Sequence, residues 1–203
     1  MKRREFISLI GGAAAALPIV ARAQKQDKPR LVGVLSGFSE MEMHASLAAF
    51  RSELNRLGWV EGTDLILDMV STDDYGRMAA EAGRLVSRNP DVIVTMGTPG
   101  MIGVRRHTQS IPTVFTLVAG PVQAGFIGSL ARPGGHATGF TNFEFSIGAK
   151  WLELLKEVSP QLPSVTALAN PANPSANPIA RAVESAGQKL SIPVTTNFVR
   201  NQS

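Results

Sequence analysis

Short apolar runs alternate along most of the chain with longer stretches whose apolar residues recur at helical spacing. The apolar runs predict strands at RLVGVLS (30–36), DLILDMV (64–70), DVIVTM (91–96), PTVFTLV (112–118), HATGFT (136–141), SVTALA (164–169) and PVTTNFV (193–199). Continuously apolar strands separated by helices are typical of a parallel sheet with helices on both faces. We therefore predict an α/β fold built on a doubly wound parallel sheet, with right-handed crossovers.

Six intervening stretches predict helices, at 43–58, 75–88, 99–108, 121–131, 148–158 and 173–190, the last of which begins as a loop. The third and fourth begin with proline, which suits a first helical turn. The fifth has Trp151, Leu155 and Val158 on one side. After the last predicted strand the alternation calls for another helix, but only residues 200–203 follow. We expect a piece of the fold to be missing there.

The first 23 residues have the three parts of an export signal: a basic start at 2–4, an apolar stretch at 6–20, and Ala21-Arg22-Ala23 as a cleavage site. The apolar stretch is shorter than the ~20 residues that a membrane span needs. Arg3-Arg4-Glu5-Phe6-Ile7 resembles the twin-arginine signal, with Sec export as the alternative. We expect a periplasmic protein that begins at Gln24 after cleavage.

Composition excludes several classes of function. The net charge of +4 and the pI of 9.9 would favour nucleic acid as a partner. However, the predicted signal holds four of the 20 basic and one of the 16 acidic residues, which leaves 16 against 15, or +1. We therefore predict no nucleic-acid partner. The chain has no cysteine, which excludes disulfides, thiol nucleophiles and thiolate metal sites.

Sequence signatures of enzymes are missing from the chain. It has no G-x-G-x-x-G, no phosphate-binding G-x-x-x-x-G-K-[ST] and no G-x-S-x-G motif. His44, His107 and His136 are far apart in sequence, and the first two are interpreted as solvated surface residues. The Asp73-Asp74 pair is interpreted as a helix N-cap. We predict no catalytic residues, no metal and no cofactor.

Ligands of open parallel sheets bind beyond the carboxyl ends of the strands. Three loops at that position are rich in small and polar residues: 36–39, 97–100 and 119–121. Gly97 and Gly100 would let the backbone approach a ligand, and free N–H groups at a helix start, with the Thr98 hydroxyl, can hold a carboxylate or phosphate. The alternative is that these glycines only make tight turns.

Five stretches together carry a resemblance to a known family: FRSELNRLGWVEGTDLIL, VIVTMGTPG, IPTVFTLVAGPVQAGFIGSLARPGGHATGFTNF, GAKWLELLKEVSP and NPANP. With the RREFI start, they resemble the substrate-binding proteins of ABC transporters in the tryptophan/tyrosine-type (TrpX-like) group. This resemblance implies a type I periplasmic-binding-protein fold, in which two α/β lobes joined by hinge segments enclose the ligand.

The resemblance also implies a domain division. The first lobe spans 30–141, the hinge crossover 142–146, and the start of an incomplete second lobe 147–203, because members of the family are longer. One position departs from the pattern: Gly120 stands where relatives commonly carry Asp before the proline. A polar contact to the ligand, or a group that caps the loop, is then expected to be absent.

The family's binding cleft maps onto residues from both lobes and the crossover. By position, the cleft residues are Ser36, Gly37, Gly97, Thr98 and Pro121 from the first lobe, Asn142 with Phe143 at the crossover, and Asn170 and Asn173 from the second lobe. Phe38 either stacks on a ligand ring or packs against the cleft edge.

The function implied is that of a non-enzymatic, periplasmic solute-binding component that delivers a small molecule, such as one resembling an amino acid, to a membrane permease. Two alternatives stay open: an exported doubly wound α/β enzyme, and a non-functional remnant of the binding protein. We expect an ordered first lobe, a loose segment beyond about Trp151 with exposed Leu155 and Val158, and no high-affinity binding by the chain alone.

Overall fold

The computed structural model describes residues 28–199, so the predicted export signal lies outside the described part. The strands are β1 (Arg30–Ser36), β2 (Leu65–Ser71), β3 (Val92–Met96), β4 (Thr113–Val118), β5 (Ala137–Thr141), β6 (Val165–Ala169) and β7 (Val194–Phe198). The helices are α1 (Glu40–Arg56), α2 (Met78–Ser87), α3 (Thr98–His107), α4 (Ile147–Val158) and α5 (Ala176–Leu190). None of these helices is long and apolar enough to cross a membrane.

The strands form two separate parallel sheets. The larger has the order β2-β1-β3-β4-β5 and the smaller pairs β6 with β7. The prediction of parallel strands alternating with helices is therefore confirmed. Residues 142–146 connect the two sheets without helix or strand. We refer to the parts built on the larger and smaller sheets as lobe one and lobe two.

Lobe one buries both faces of its sheet. Alternate residues of β1 point to opposite sides, so Leu35 packs on one side against α2 and α3, while Val32 and Val34 pack on the other against α1. Gly33 leaves room for the side chain of Leu85, which would lie 3.1 Å from an added Cβ. Because both sides are apolar, the strand has the continuous hydrophobic run seen in the sequence.

Helix α1 begins three residues earlier than the apolar pattern predicted. Ser39 Oγ accepts the N–H of Glu42 (3.4 Å), and the Glu42 carboxylate accepts the Ser39 N–H (2.8 Å) and the Ser39 hydroxyl (2.7 Å). This capping box satisfies free N–H groups at the helix start. The hydrogen bonds from Ser39 lower the pKa of Glu42. The polar first turn explains why an apolar pattern could not locate it.

The helix predicted at 121–131 is wrong, since these residues form a series of turns. Gly125 has a φ of +70°, which a helix does not accommodate, and the Gly128 N–H bonds forward to the Pro133 carbonyl (2.7 Å). The apolar residues of the segment still reach the core, where Ile127 packs near Phe115. The connection between β4 and β5 is therefore irregular but buried on its apolar side.

Lobe two covers only one face of its sheet. Helices α4 and α5 pack on that face around Leu152, which has no exposed surface, together with Val183 and Ile192. Gly148 lets the two helices approach, since an added Cβ would lie 2.7 Å from Val183 Cγ2. On the opposite face Leu168 is 71% exposed.

The exposed side of α4 follows the sequence prediction. Trp151, Leu155 and Val158 are 45%, 46% and 86% exposed, respectively. The buried side of α4 carries Gly148 and Leu152, which are four residues apart and therefore lie on the same face of the helix.

Candidate functional site between the lobes

A cavity of about 600 Å³ lies between the two lobes, at the carboxyl ends of strands from both sheets. Lobe one contributes the loops after β1 and β3 and the end of β4, and lobe two contributes β6, the loop after it and faces of α4 and α5. Seven of the nine predicted cleft residues line the cavity: Gly37, Gly97, Thr98, Asn142, Phe143, Asn170 and Asn173.

The other two predicted residues do not line the cavity. Ser36 is buried, and its Oγ accepts the N–H of Phe38 (3.0 Å), so it shapes the turn after β1. Pro121 is also buried, and its carbonyl accepts the N–H of Phe126 (2.9 Å) within the segment that follows β4. Both residues support loops that reach the cavity rather than facing it.

The Thr98 hydroxyl oxygen already accepts two hydrogen bonds within the protein. Thr98 Oγ1 accepts the Ala119 N–H (3.1 Å) and the hydroxyl of Ser175 in lobe two (3.0 Å). Both hydroxyl-bearing side chains are buried. These two bonds use the lone pairs of the oxygen, so only its proton is left to bind a ligand. The hydroxyl thus links the two lobes at the edge of the cavity.

The start of α3 presents backbone donors near the cavity. Gly97 has a φ of +86°, a backbone conformation that favours glycine, although an added Cβ would meet the ring of Phe38 only at contact distance, 3.5 Å. The Gly97 N–H donates to the Thr116 carbonyl (2.9 Å). The N–H groups of Thr98 and Gly100 have no acceptor within residues 28–199. These donors and the helix dipole favour an anionic group.

Three asparagine side chains face the cavity with one end already engaged. Asn142 Oδ1 accepts the N–H of the next residue (3.0 Å), and Asn170 and Asn173 each accept the N–H two residues ahead (3.0 and 2.9 Å). Because each carbonyl oxygen is fixed in this way, the amide NH₂ group is the end that can bind a ligand. The three residues can therefore donate hydrogen bonds to a ligand.

Four aromatic residues line the same cavity: Phe38, Tyr75, Phe143 and Trp151. Phe143 and Trp151 meet edge to face, with ring centroids 6.0 Å apart and an interplanar angle of 69°. Such surfaces suit the ring of a ligand. The sequence analysis noted the positions of Phe38 and Phe143, placed Trp151 on one side of the fifth predicted helix, and missed Tyr75.

Tyr75 is the single tyrosine of the chain and lies in the loop after β2. Partial burial, with smaller contributions from the carboxylates of Glu42 and Asp73, raises the pKa of its phenol. The phenol therefore stays protonated at neutral pH and can donate a hydrogen bond. Its position after the carboxyl end of a strand was the signal that could have identified it.

Every other described residue lining the cavity is apolar or polar without a titratable group. No Asp, Glu, Lys, Arg or His lines it, and the described part of the chain holds no group of side chains suited to a metal ion. A pocket of apolar and aromatic surface with a few directed polar groups is typical of a site for a small organic molecule.

The departure at Gly120 concerns packing. Gly120 has a φ of +52°, and an added Cβ would lie 2.8 Å from the ring of Phe145. Gly120 itself does not line the cavity. The Phe145 ring thus occupies the space that a side chain at position 120 would need, and the expectation of a lost ligand contact finds no support in this geometry.

The chain matches the model of one protein family and is similar to several known proteins. The family model described as ABC transporter substrate binding protein matches residues 32–203. A tyrosine-binding protein of Clostridioides difficile is 30% identical over 139 residues, which cover 66% of this chain and 40% of that protein.

Solved structures give the same picture of the fold. A conserved domain protein from Vibrio cholerae has a TM-score of 0.74 and 26% identity. The ABC domain from Streptococcus pneumoniae in complex with L-Trp has a TM-score of 0.71 and 21% identity. Each match covers 85% of this chain and 58% of the other, so the chain spans little more than half their length. The predicted type I periplasmic-binding-protein fold is confirmed.

Proposed function

We propose, from the premise that this chain belongs to the ABC transporter substrate-binding protein family, that it binds a small amino-acid-like molecule with an aromatic ring between its two lobes. The family implies a periplasmic or extracellular location. Membership in a transport family favours a binding protein over the exported enzyme considered above.

The proposal is based on one observation: the cavity lining has an apolar, aromatic part and a part that offers hydrogen-bond donors. The rings of Phe38, Phe143 and Trp151 offer apolar contact to an aromatic side chain. The amide groups of Asn142 and Asn170 and the free N–H of Thr98 offer donors to a carboxylate. A zwitterionic aromatic amino acid carries both complementary parts, and the names of the relatives point to the same class.

Binding would be coupled to the relative position of the lobes. The ligand contacts residues of both lobes, so it stabilises the arrangement in which Thr98 and Ser175 are hydrogen-bonded. Residues 142–146 would act as the hinge. Delivery to a membrane permease, export by the twin-arginine-like signal and cleavage after Ala23 complete the proposal.

Calorimetric titration of the 203-residue chain with L-tyrosine, L-tryptophan and L-leucine tests this proposal. We expect binding of the two aromatic amino acids with a Kd that is micromolar or weaker, because lining residues such as Leu155 and Leu168 stay solvent-exposed. Absence of heat with all three amino acids would support the remnant alternative instead.

A matched pair of variants locates the site. Asn170→Ala removes a donor to the ligand carboxylate and should raise the Kd by about tenfold, the loss expected for one hydrogen bond to a charged group. Asn197→Ala, on β7 and outside the cavity lining, should leave the Kd unchanged. Equal effects of the two substitutions would place the ligand elsewhere.

A further inference from the structure

Strand β4 contains one more residue than its partner near its carboxyl end. Thr116 pairs with Phe140 and Val118 pairs with Thr141, so Leu117 has no partner on β5. This is a β-bulge, which interrupts the alternation of side chains along the strand.

The bulge lets two core residues share one face. Phe115 and Val118 are both fully buried and belong to the same apolar cluster as Met101. Residues three apart in an unbroken strand would point to opposite faces. The extra residue, Leu117, is displaced from the core, is 41% exposed, and lines the cavity between the lobes.

The backbone around the bulge is held by specific hydrogen bonds. The Thr116 carbonyl accepts the Gly97 N–H (2.9 Å), and the Val118 carbonyl accepts the hydroxyl of Thr141 (2.7 Å). Both carbonyls flanking Leu117 are therefore satisfied, and both bonds come from segments adjoining the cavity.

Leu117 adopts a backbone conformation that leucine disfavours. Its φ is +57°, in the left-handed region, where a Cβ crowds the backbone. Residues held in such conformations cluster at functional sites, because the surrounding structure must compensate for the strain. Leu117 is exposed and contributes little to the core, so core packing does not explain why a leucine occupies this strained position.

We propose that Leu117 is a ligand-contacting residue, which the bulge directs into the cavity as apolar surface for the ring of the bound molecule. This inference rests on the proposed function. Its two parts, the strain and the contact, are measured separately.

The test compares Leu117→Ala with Leu117→Gly in the full chain. Both changes remove the apolar side chain, so the Kd for L-tryptophan should rise on the order of tenfold in each. Only glycine relieves the left-handed strain, so the Gly variant should unfold at a midpoint about 3 °C above that of the Ala variant.

The control pair is Leu154→Ala and Leu154→Gly. Leu154 is 46% exposed on α4 and does not line the cavity. In a helix alanine is more stable than glycine, so the order of the two midpoints should reverse, and the Kd should match that of the parent.

The outcomes separate this inference from the proposed function. If the parent binds L-tryptophan and both Leu117 variants bind equally well, the contact is refuted while the proposed function stands. If the Ala variant is as stable as the Gly variant, the strained bulge is refuted. A parent that binds neither L-tryptophan nor L-tyrosine overturns both proposals at once.

Discussion

Lobe one and lobe two use the same alternation of strands and helices but differ in how their sheets are covered. The β1 strand of lobe one is apolar on both sides and is packed between helices on both faces. In lobe two, β7 has three polar residues between Val194 and Phe198, and two of them, Thr195 and Asn197, are exposed on the uncovered side. The uncovered face of the lobe-two sheet is therefore polar along β7 but apolar at Leu168 of β6, so the sequence only partly distinguishes a sheet covered on one face from a sheet covered on two.

The largest expected effects come from equivalent core substitutions in the two lobes. Phe115→Ala should lower the free energy of unfolding by about 3–5 kcal/mol, and Leu152→Ala by about 2–5 kcal/mol, since both side chains are fully buried. We expect Leu152→Ala to loosen only lobe two. Hydrogen exchange should then accelerate in β6 and β7 while β1 and β3 stay protected.

This prediction treats each lobe as a unit that unfolds separately. In the parent, too, amides of β6 and β7 should exchange faster than those of β1 and β3, because one face of their sheet is open to solvent. Equal acceleration in all four strands after Leu152→Ala would show that the lobes unfold together. The difference in sheet coverage would then not correspond to a difference in the free energy of unfolding of the two lobes.

A smaller effect is expected from the hydrogen bond that joins the lobes. Ser175→Ala removes the hydroxyl that donates to Thr98 Oγ1 and should lower stability by about 1 kcal/mol. Exchange should rise at residues 173–176, and the Kd for L-tryptophan should increase by about fivefold. Ser87→Ala, which removes an exposed side-chain bond to the Arg84 carbonyl, is the control and should change neither quantity beyond error.

The smallest effect concerns a polar contact confined to lobe one. The Asp91 carboxylate accepts the Leu31 N–H (2.8 Å) and pairs with Arg30 (2.6 Å). The Leu31 hydrogen bond, followed by Arg30, lowers the pKa of Asp91. Because the folded pKa is lowered, the contribution to stability is present above the ordinary Asp value of about 3.9 and is lost as pH falls through the lowered pKa.

Asp91→Asn should therefore lower the free energy of unfolding by about 0.5–1 kcal/mol at pH 7, since the pair is exposed and screened. The difference from the parent should shrink as the pH falls below 3.9. Denaturant unfolding at both pH values gives the measurement. Glu157→Gln, at an exposed residue without a partner in residues 28–199, should match the parent throughout.

Much of the fold could be predicted because strand position depends on local apolar runs. RLVGVLS coincides with β1, and the other six strands lie within a residue or so of their predicted bounds. The failure at 121–131 has a physical origin: proline and apolar residues indicated a helix, but the left-handed conformation of Gly125 is a property of the folded loop. The capping box of α1 also lies outside the apolar pattern.

The site could be predicted only in part, for a related reason. Small residues in strand-end loops identified Gly37, Gly97 and Thr98 as cavity residues. Leu117 could not be found, because its direction depends on a bulge that the pairing of β4 and β5 creates. The engagement of Thr98 with Ser175 likewise joins residues 77 positions apart, which no local motif records.

The lack of charged side chains in the described lining of the cavity also affects the rate at which a ligand would reach it. Charged clefts attract oppositely charged solutes from a distance, and dissolved salt weakens that attraction. Here the donors are amides and backbone N–H groups, whose influence is short-ranged. For the proposed binding, encounter should then depend on diffusion and on opening of the lobes, and the rate of capture should be nearly the same at low and at high salt concentration.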